Sequence, residues 1–303
     1  MGKHYTVYVM LSTYNGAKYL RTQLDSLLAQ EGVDLIIRVR DDGSTDGTQV
    51  ILDEYQDKYA CISWYQGENK GASGSFYDLM YNSPKYEYYA FCDQDDYWHT
   101  NKLYRAVRKL ENINGPCLYF SKKNIVDGEL GPTDIIDEPI NSIKVGAMFV
   151  RGVAYGCTEV MNLEAMELLK SHHPRIDQMH DAYAQRVIGL CGTVIYDKKS
   201  YIDYRQHGNN TIGVSMTIPQ RIVNGIKNLR TRITDHRRSE IAKEFYRAFK
   251  HNMPSKNRYL IYHFAHIPYS LKSRLIILFS RDMVMQTKLE TLIIKMLILL
   301  GCI

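Results

Sequence analysis

Along the first 120 residues, short apolar runs alternate with segments whose hydrophobic side chains recur at helical spacing. Strands are predicted at residues 6–11, 35–40, 62–65, 88–92 and 117–120, and helices at 18–30, 48–58, 74–81 and 102–110. In the first of these helices Leu20, Leu24, Leu27 and Leu28 fall on one face, the stripe a helix needs to lie against a sheet. Such alternation predicts an α/β fold, a mostly parallel sheet flanked by helices. Each predicted strand ends where a polar, glycine-containing segment begins. Ligands of open α/β sheets settle beyond the carboxyl ends of the strands, so chemistry is expected in those segments.

After Ser121 the alternation weakens, and residues 122–144 read as a long loop, a length that usually signals function or mobility. An apolar run at 146–150 follows, then a strand at 157–161, helices at 163–170 and 181–190, a strand at 193–196 and a polar segment at 204–210. From residue 219 the pattern is helical, without internal repeats. The chain is therefore divided into residues 1–121, 122–214 and 215–303.

Charge sharpens the last boundary. From Ser215 onward there are 16 Lys and Arg against 5 Asp and Glu, a net of +11, which leaves −6 for residues 1–214 within the overall +5. The basic character belongs to the C-terminal region. Cys61, Cys92, Cys117, Cys157, Cys191 and Cys302 are scattered without a CxxC pair, and suit a reducing cytosol better than a zinc site or a disulfide framework. The first residues enter a strand-like run at once, without the apolar stretch of a secretory signal. A cytoplasmic protein is expected.

Five polar segments carry candidate chemistry. Ser12, Thr13 and Tyr14 follow the first strand and Asp41 to Thr48 the second, which places a hydroxyl, an aromatic ring and two carboxylates around one crevice. Asp42 is suited to accept from a pyrimidine ring N–H while Tyr14 stacks on the base. The same Asp, Gly, Ser and Thr residues also suit a turn and a helix cap. Beyond the fourth strand, Asp93, Asp95 and Asp96 crowd three carboxylates into four residues. A cation relieves such repulsion, and an all-oxygen site favours Mg²⁺ or Mn²⁺ shared with phosphate oxygens. An acidic turn before a helix is the competing reading. Asn69 and Lys70 are placed near the same crevice, and Arg205, Gln206 and His207 offer a fork of donors, an amide and an imidazole as a clamp for a diphosphate or a further metal contact.

Taken in order, these segments resemble the family 2 glycosyltransferases, in particular rhamnosyltransferase-like bacterial enzymes of surface polysaccharide synthesis. The resemblance is carried by LSTYNGAKYL at 11–20, RDDGSTDGT at 40–48, NKGASGSF at 69–76, FCDQDDYW at 91–98, GCTEVMN at 156–162, HDAYAQRV at 180–187 and YRQHGNN at 204–210. It covers about 210 residues, and the ordered set is far more specific than any one motif. It implies a single-domain, Rossmann-like GT-A fold over residues 1–214, with a nucleotide-binding half at 1–121 and an acceptor half at 122–214. It assigns Ser12, Tyr14 and Asp42 to the nucleotide base, and Asp93 and Asp95 to the metal and diphosphate, with Asp95 the principal metal ligand. The HD pair matches the position of the family's catalytic base, which points to Asp181. By itself Asp181 suits a helix N-cap equally well. The segment departs from many similar enzymes in carrying Ala182 and Tyr183 where they have bulky aromatics such as tryptophan after the acid, which leaves the acceptor sugar open.

The resemblance implies an inverting transfer from a dTDP- or UDP-sugar, rhamnose favoured, to a hydroxyl of a lipid-linked or oligosaccharide acceptor. The C-terminal stretch 289–303 is shorter than the roughly 20 residues that span a bilayer, and is interrupted by Glu290 and Lys295. With Lys272, Arg274, Arg281 and Lys288 among Leu, Ile and Met, it reads as an interfacial helix on an anionic membrane, or else as a helix packed on the domain or in a homo-oligomer. A sugar nucleotidyltransferase would want a glycine-rich, basic first loop, whereas STYNGAK has one glycine. The basic region lacks a nucleic-acid recognition motif, so no nucleic-acid partner is expected.

Overall fold

The computed structural model describes residues 4–137, 139–207 and 236–303. Strands β1 (Thr6–Thr13), β2 (Asp34–Asp41), β3 (Ile62–Gln66) and β4 (Tyr88–Cys92) alternate with helices α1 (Leu20–Leu28), α2 (Thr48–Lys58) and α3 (Gly71–Asn82). Then come β5 (Tyr97–Trp98), α4 (Lys102–Leu110), β6 (Cys117–Val126), α5 (Val145–Val150), β7 (Val160–Asn162), α6 (Leu163–Lys170), α7 (His180–Cys191) and β8 (Thr193–Arg205). Four further helices close the described chain: α8 (Arg237–Phe249), α9 (Ser255–Ala265), α10 (Leu271–Leu278) and α11 (Lys288–Leu300).

The strands form one eight-stranded sheet in the order β3-β2-β1-β4-β7-β6-β8-β5. Pairing is parallel among β3, β2, β1 and β4 and between β6 and β8, and antiparallel where β7 meets β4 and β6 and where β5 meets β8. Strand order reverses at β1, where the chain moves outward through β2 and β3 and then returns to the other side as β4. Such a switch point opens a crevice at the carboxyl ends of the strands. Register puts the chemistry there: Thr13 pairs with Asp41, and Leu11 with Cys92, so the segments after β1, β2 and β4 begin side by side.

Alternation along β1 explains why both faces of the sheet are covered. Val7, Val9 and Leu11 point into a core with Leu20, Leu24, Leu27, Leu52 and Leu103. Tyr8 and Met10 point to the other side, against Phe76, Leu79, Phe91 and the α7 residues Tyr183 and Val187. That second core continues without a break into the C-terminal helices through Ile241, Phe245, Phe264, Ile277 and Ile298. Each such side chain contributes roughly 1.5–3 kcal/mol by leaving water, so the C-terminal helices are packed on the domain. Part of their surface stays apolar and exposed, including Phe279 at 78% and Leu292 at 67%. Among the described residues no helix is long and apolar enough to cross a membrane.

The structure corrects several boundaries. Residues 122–126, expected to be loop, extend β6 to Val126 because they pair with β8 through residues 200–205. β8 itself runs to Arg205 rather than ending near residue 196, and two register shifts let it continue. The strand expected at 157–161 starts as a short 3₁₀ turn, Gly156–Thr158, and pairs only from Val160. The apolar run at 146–150 is the helix α5. Of the polar segment 204–210, residues 208–210 lie outside the described residues, as do 211–235 of the basic region.

Candidate active site

A cleft of about 370 Å³ opens at the switch point, lined on one side by Ser12, Tyr14, Asp42, Asn69, Asp93 and Asp95 and on the other by Tyr155, Gly156, Met179 and Asp181. The first wall is assembled from loops that brace one another. Asn15 takes a left-handed backbone (φ 48°), and its side-chain carbonyl accepts from Thr45 N at 2.9 Å while its own N–H donates to Ser44 Oγ at 2.8 Å. Ala17 N donates to Asp46 Oδ2 at 3.0 Å, and Asp46 Oδ1 accepts from Thr48 N at 3.1 Å. Asp46 thus serves the turn that leads into the Gly47 cap of α2, while Asp42 turns to the cleft.

Asp42 is held by a buried cation. Arg40, almost without exposure, pairs with Asp42, donates through Nε to Asp78 Oδ2 at 2.9 Å and through Nη2 to Glu68 O at 2.8 Å. The Lys70 backbone N–H adds bonds of 2.9 and 3.1 Å to the two Asp42 oxygens. A carboxylate has about four acceptor sites, so Asp42 keeps capacity for a ligand N–H. Lys70 contributes through its backbone; its ammonium is half exposed and lies 3.6 Å from Asp78. Thr13 is buried and donates to Gln94 Oε1 at 2.6 Å, an atom that also accepts from Tyr14 N at 2.9 Å. Tyr14 is 48% exposed at the lip, free to cover a flat ring.

The acidic segment follows β4. Burial and the charges of Asp95 and Asp181 push the Asp93 carboxyl up to about 7. Burial also raises Asp95, against the lowering effect of His207, whose Nε2 is 2.7 Å from Asp95 Oδ2. Asp96 is fully buried, and burial with the charges of Asp95 and Asp93 raises its carboxyl well above the ordinary range; Oδ1 accepts from Arg205 N at 3.1 Å, and Oδ2 has no hydrogen-bond partner among the described residues. The ligand atoms of Asp93, Asp96 and Cys157 lie within 4.8 Å of one another, a grouping that takes in Asp93 but not Asp95. Which set suits a hard ion follows from chemistry: Cys157 is a buried soft thiol with its pKa raised well above the ordinary range, whereas Asp93 and Asp95 offer oxygen at the cleft, with His207 Nε2 beside Asp95.

Arg205 does not line this cleft. Its Nε donates to Asp95 O at 2.7 Å, its Nη1 to Gly128 O at 2.5 Å, and its guanidinium lies 4.5 Å over the Tyr19 ring, which also stacks on His207 at 4.8 Å. These contacts tie it to the acidic loop. On the opposite wall Asp181 sits in the first turn of α7, whose cap is Met179, and its Oδ1 accepts from Ala182 N at 2.6 Å. Beside it His180 is stacked 3.9 Å from Phe76, and burial lowers its pKa to about 4. Gly156 is obligatory here, since a Cβ would stand 2.6 Å from His180 Nε2.

Gln94, Tyr155, Met179 and Tyr204 also line or shape the cleft and were not assigned from the sequence. Gln94 lies inside a recognised motif, so its polar side chain was a usable signal. Tyr155 and Met179 gave none, because only the tertiary fold brings them to Asp181.

A family model for glycosyl transferase family 2 matches residues 8–145. The dTDP-rhamnosyl transferase RfbG of Shigella flexneri is 30% identical over 219 residues, covering 68% of this chain and 75% of that protein. The UDP-Glc:alpha-D-GlcNAc-diphosphoundecaprenol beta-1,3-glucosyltransferase WfaP of Escherichia coli is 29% identical over 144 residues, 47% of this chain and 55% of that protein. Among solved structures, S. aureus TarS 1–349 in complex with UDP-GlcNAc has a TM-score of 0.57 at 14% identity, covering 90% of this chain and 84% of that one. The mannosyltransferase PcManGT from Pyrobaculum calidifontis, in complex with GDP-Man and Mn²⁺, has a TM-score of 0.53 at 16% identity, covering 89% and 71%. The fold is that of GT-A glycosyltransferases, as the sequence motifs implied.

Proposed function

Because the chain belongs to glycosyltransferase family 2, we propose that it is an inverting enzyme of polysaccharide synthesis, transferring a sugar from a nucleoside diphosphate donor to an acceptor hydroxyl across this cleft. The observation that carries the reading is the placement of Asp181 opposite Asp42, Asp93 and Asp95 in one cavity. Residues 1–121 hold the donor and 122–214 the acceptor. Tyr14 covers the base, Asp42 accepts from its ring N–H, and Ser12, Thr13, Asn69 and Lys70 shape the nucleoside pocket, Thr13 and Lys70 through the contacts described above.

Asp93 and Asp95 fit a hard cation, Mn²⁺ or Mg²⁺, because burial raises both carboxyls, helped at Asp93 by the charges of Asp95 and Asp181. Asp95 is the main ligand, oriented by His207, and Arg205 secures the loop that carries it. Bound there, such an ion would supply Lewis-acid stabilisation of a leaving diphosphate. Asp181 takes the proton of the acceptor hydroxyl as that oxygen forms a bond to the anomeric carbon and the bond from that carbon to the diphosphate oxygen breaks. One displacement gives inversion, so no enzyme nucleophile is needed.

The similarity to RfbG supports dTDP-rhamnose as donor, and the similarity to WfaP supports UDP-glucose as the second candidate and a lipid-linked sugar as acceptor. The exposed apolar residues of α10 and α11, flanked by Lys272, Lys288 and Lys295, support peripheral attachment to an anionic cytoplasmic membrane face. A donor screen tests the reading. We expect turnover of one nucleotide sugar with Mn²⁺, loss on chelation, and loss in Asp95→Asn. Full activity in both chelator and Asp95→Asn would remove the metal assignment.

A further inference from the structure

The first turns of α7 present two neighbouring stripes to two different cavities. Asp181 and Gln185, four residues apart, line a cavity of about 530 Å³ that also takes in Tyr155 and Lys123. Met179, Ala182 and Arg186, at the next helical spacing, line a cavity of about 360 Å³ against Val150 and the start of α8. Met179 and Ala182 border both cavities, so the two share an edge one residue to either side of Asp181.

The smaller cavity is rich in donors. Arg186, Arg237 and Arg238 all line it. Arg186 is anchored through Nε to Phe149 O at 3.0 Å and through Nη1 to Gln178 Oε1 at 2.7 Å. Among the described residues it is paired with no carboxylate, and its Nη2 makes no hydrogen bond. Burial and the charge of Arg238 lower its pKa to about 10, with the Asp181 charge opposing, so it stays a cation at neutral pH and an anion would relieve it. Gln178 is buried, and its Nε2 has no hydrogen-bond partner among the described residues. A buried donor left without a partner is destabilising. Arg237 donates to Asp177 O, and the Asp177 carboxylate, exposed to solvent, stands 4.0 Å away. Ile303 also borders the cavity, and its main-chain oxygen accepts from Ser239 Oγ.

We propose that this cavity binds the carboxylate of an acidic sugar in the acceptor glycan, next to the sugar that carries the reacting hydroxyl. The two donors left over, Arg186 Nη2 and Gln178 Nε2, answer the two oxygens of a planar carboxylate, while Arg237 and Arg238 supply further positive charge. Arg186 follows Asp181 by five residues, about 7.5 Å along the helix axis, a separation on the scale of one sugar unit. A neutral glycan has no group for this cluster of guanidinium groups. A phosphate brings a third oxygen and a second charge to the same two donors. The inference rests on Asp181 facing the acceptor, and adds to that reading the charge of the substrate.

The test measures binding of three probes to the full chain by ligand-observed NMR: methyl glucuronoside, methyl glucoside and glucose 6-phosphate. We expect the glucuronoside to bind about tenfold more tightly than the glucoside, and Arg186→Gln to remove that preference with UDP or dTDP binding unchanged. Arg237→Gln alters a half-exposed side chain and should reduce the preference about threefold, which keeps the test decisive where Arg186→Gln fails to fold. Equal affinity for glucuronoside and glucoside, or a preference that survives both changes, overturns the proposal. Tighter binding of glucose 6-phosphate than of the glucuronoside overturns the carboxylate assignment. Asp181→Asn separates this from the reading beneath it. If that variant transfers normally the assignment of the acceptor side fails, whereas lost transfer together with no preference for the glucuronoside sinks the anion site alone.

Discussion

On the nucleotide wall every side chain comes from the end of a strand or the few residues after it, and the loops are tied to one another by polar contacts such as Asn15 with Ser44 and Thr45, Gln94 with Thr13, and Arg40 with Asp42 and Asp78. The opposite wall, to which we assign the acceptor, is assembled from distant pieces: Tyr155 before a 3₁₀ turn, Met179 at the cap of α7 and Asp181 in its first turn. One wall is fixed by backbone topology at the switch point. The other depends on packing with the C-terminal helices, and its chemistry can vary while the sheet stays the same.

The largest effect that separates the walls is expected from Asp181→Asn. Removing a general base should lower transfer by about 10²–10⁴-fold while leaving donor affinity unchanged in a titration with UDP or dTDP. A comparable loss of donor binding would show that Asp181 serves the nucleotide wall instead.

Stability sharpens the contrast next. Arg40→Met strands the buried Asp42 and the partly buried Asp78, and we expect a loss of about 3 kcal/mol in urea unfolding. The counterpart on the acceptor side, Arg151→Met, breaks a half-exposed pair with Glu290 and should cost about 0–1 kcal/mol. Equal losses would mean that the two walls are braced alike.

A smaller change is expected on replacing the imidazole that orients Asp95. His207→Asn should weaken Mn²⁺ about tenfold in a metal titration of donor binding, with little effect on acceptor affinity.

A last contrast lies in the pH dependence of stability without metal. Because the folded Asp93 carboxyl is raised to about 7, well above an unfolded value near 3.9, the folded state holds a proton that the unfolded state has lost. Its contribution therefore destabilises as pH rises from about 4 to about 7. Melting in chelator should show a Tm falling by a few degrees over that window, flattened in Asp93→Asn and reversed at pH 7 by Mn²⁺. A Tm that is flat with pH in the parent protein would remove the crowded carboxylate from the account.

Most of the nucleotide wall was legible in the sequence because strand-end segments carry their own punctuation. Apolar runs broken by STYNG, DDGSTDG and DQDD mark both the element and the loop that follows, and parallel pairing brings such loops together. The separate parts within those loops were less legible. Nothing in the order of residues shows that Asp96 is buried or that Arg205 turns to backbone carbonyls. Much of the acceptor wall was hidden for a different reason: β6 and β8 continue through polar residues such as Lys122, Asn124 and Asp203, whose strand character comes from pairing and not from hydrophobic alternation. In the C-terminal helices, apolar spacing alone could not separate Ile298 in the core from Leu292 at the surface.

The account stands on a donor held at one wall and a base at the other, so that displacement occurs from opposite sides of one carbon. The most direct measurement is the anomeric configuration of the transfer product, read by NMR from the one-bond carbon–hydrogen coupling at the new linkage and compared with that of the donor. We expect inversion. A product that retains the donor configuration would contradict the arrangement, because Asp181 would then have to act as something other than the base for a single displacement.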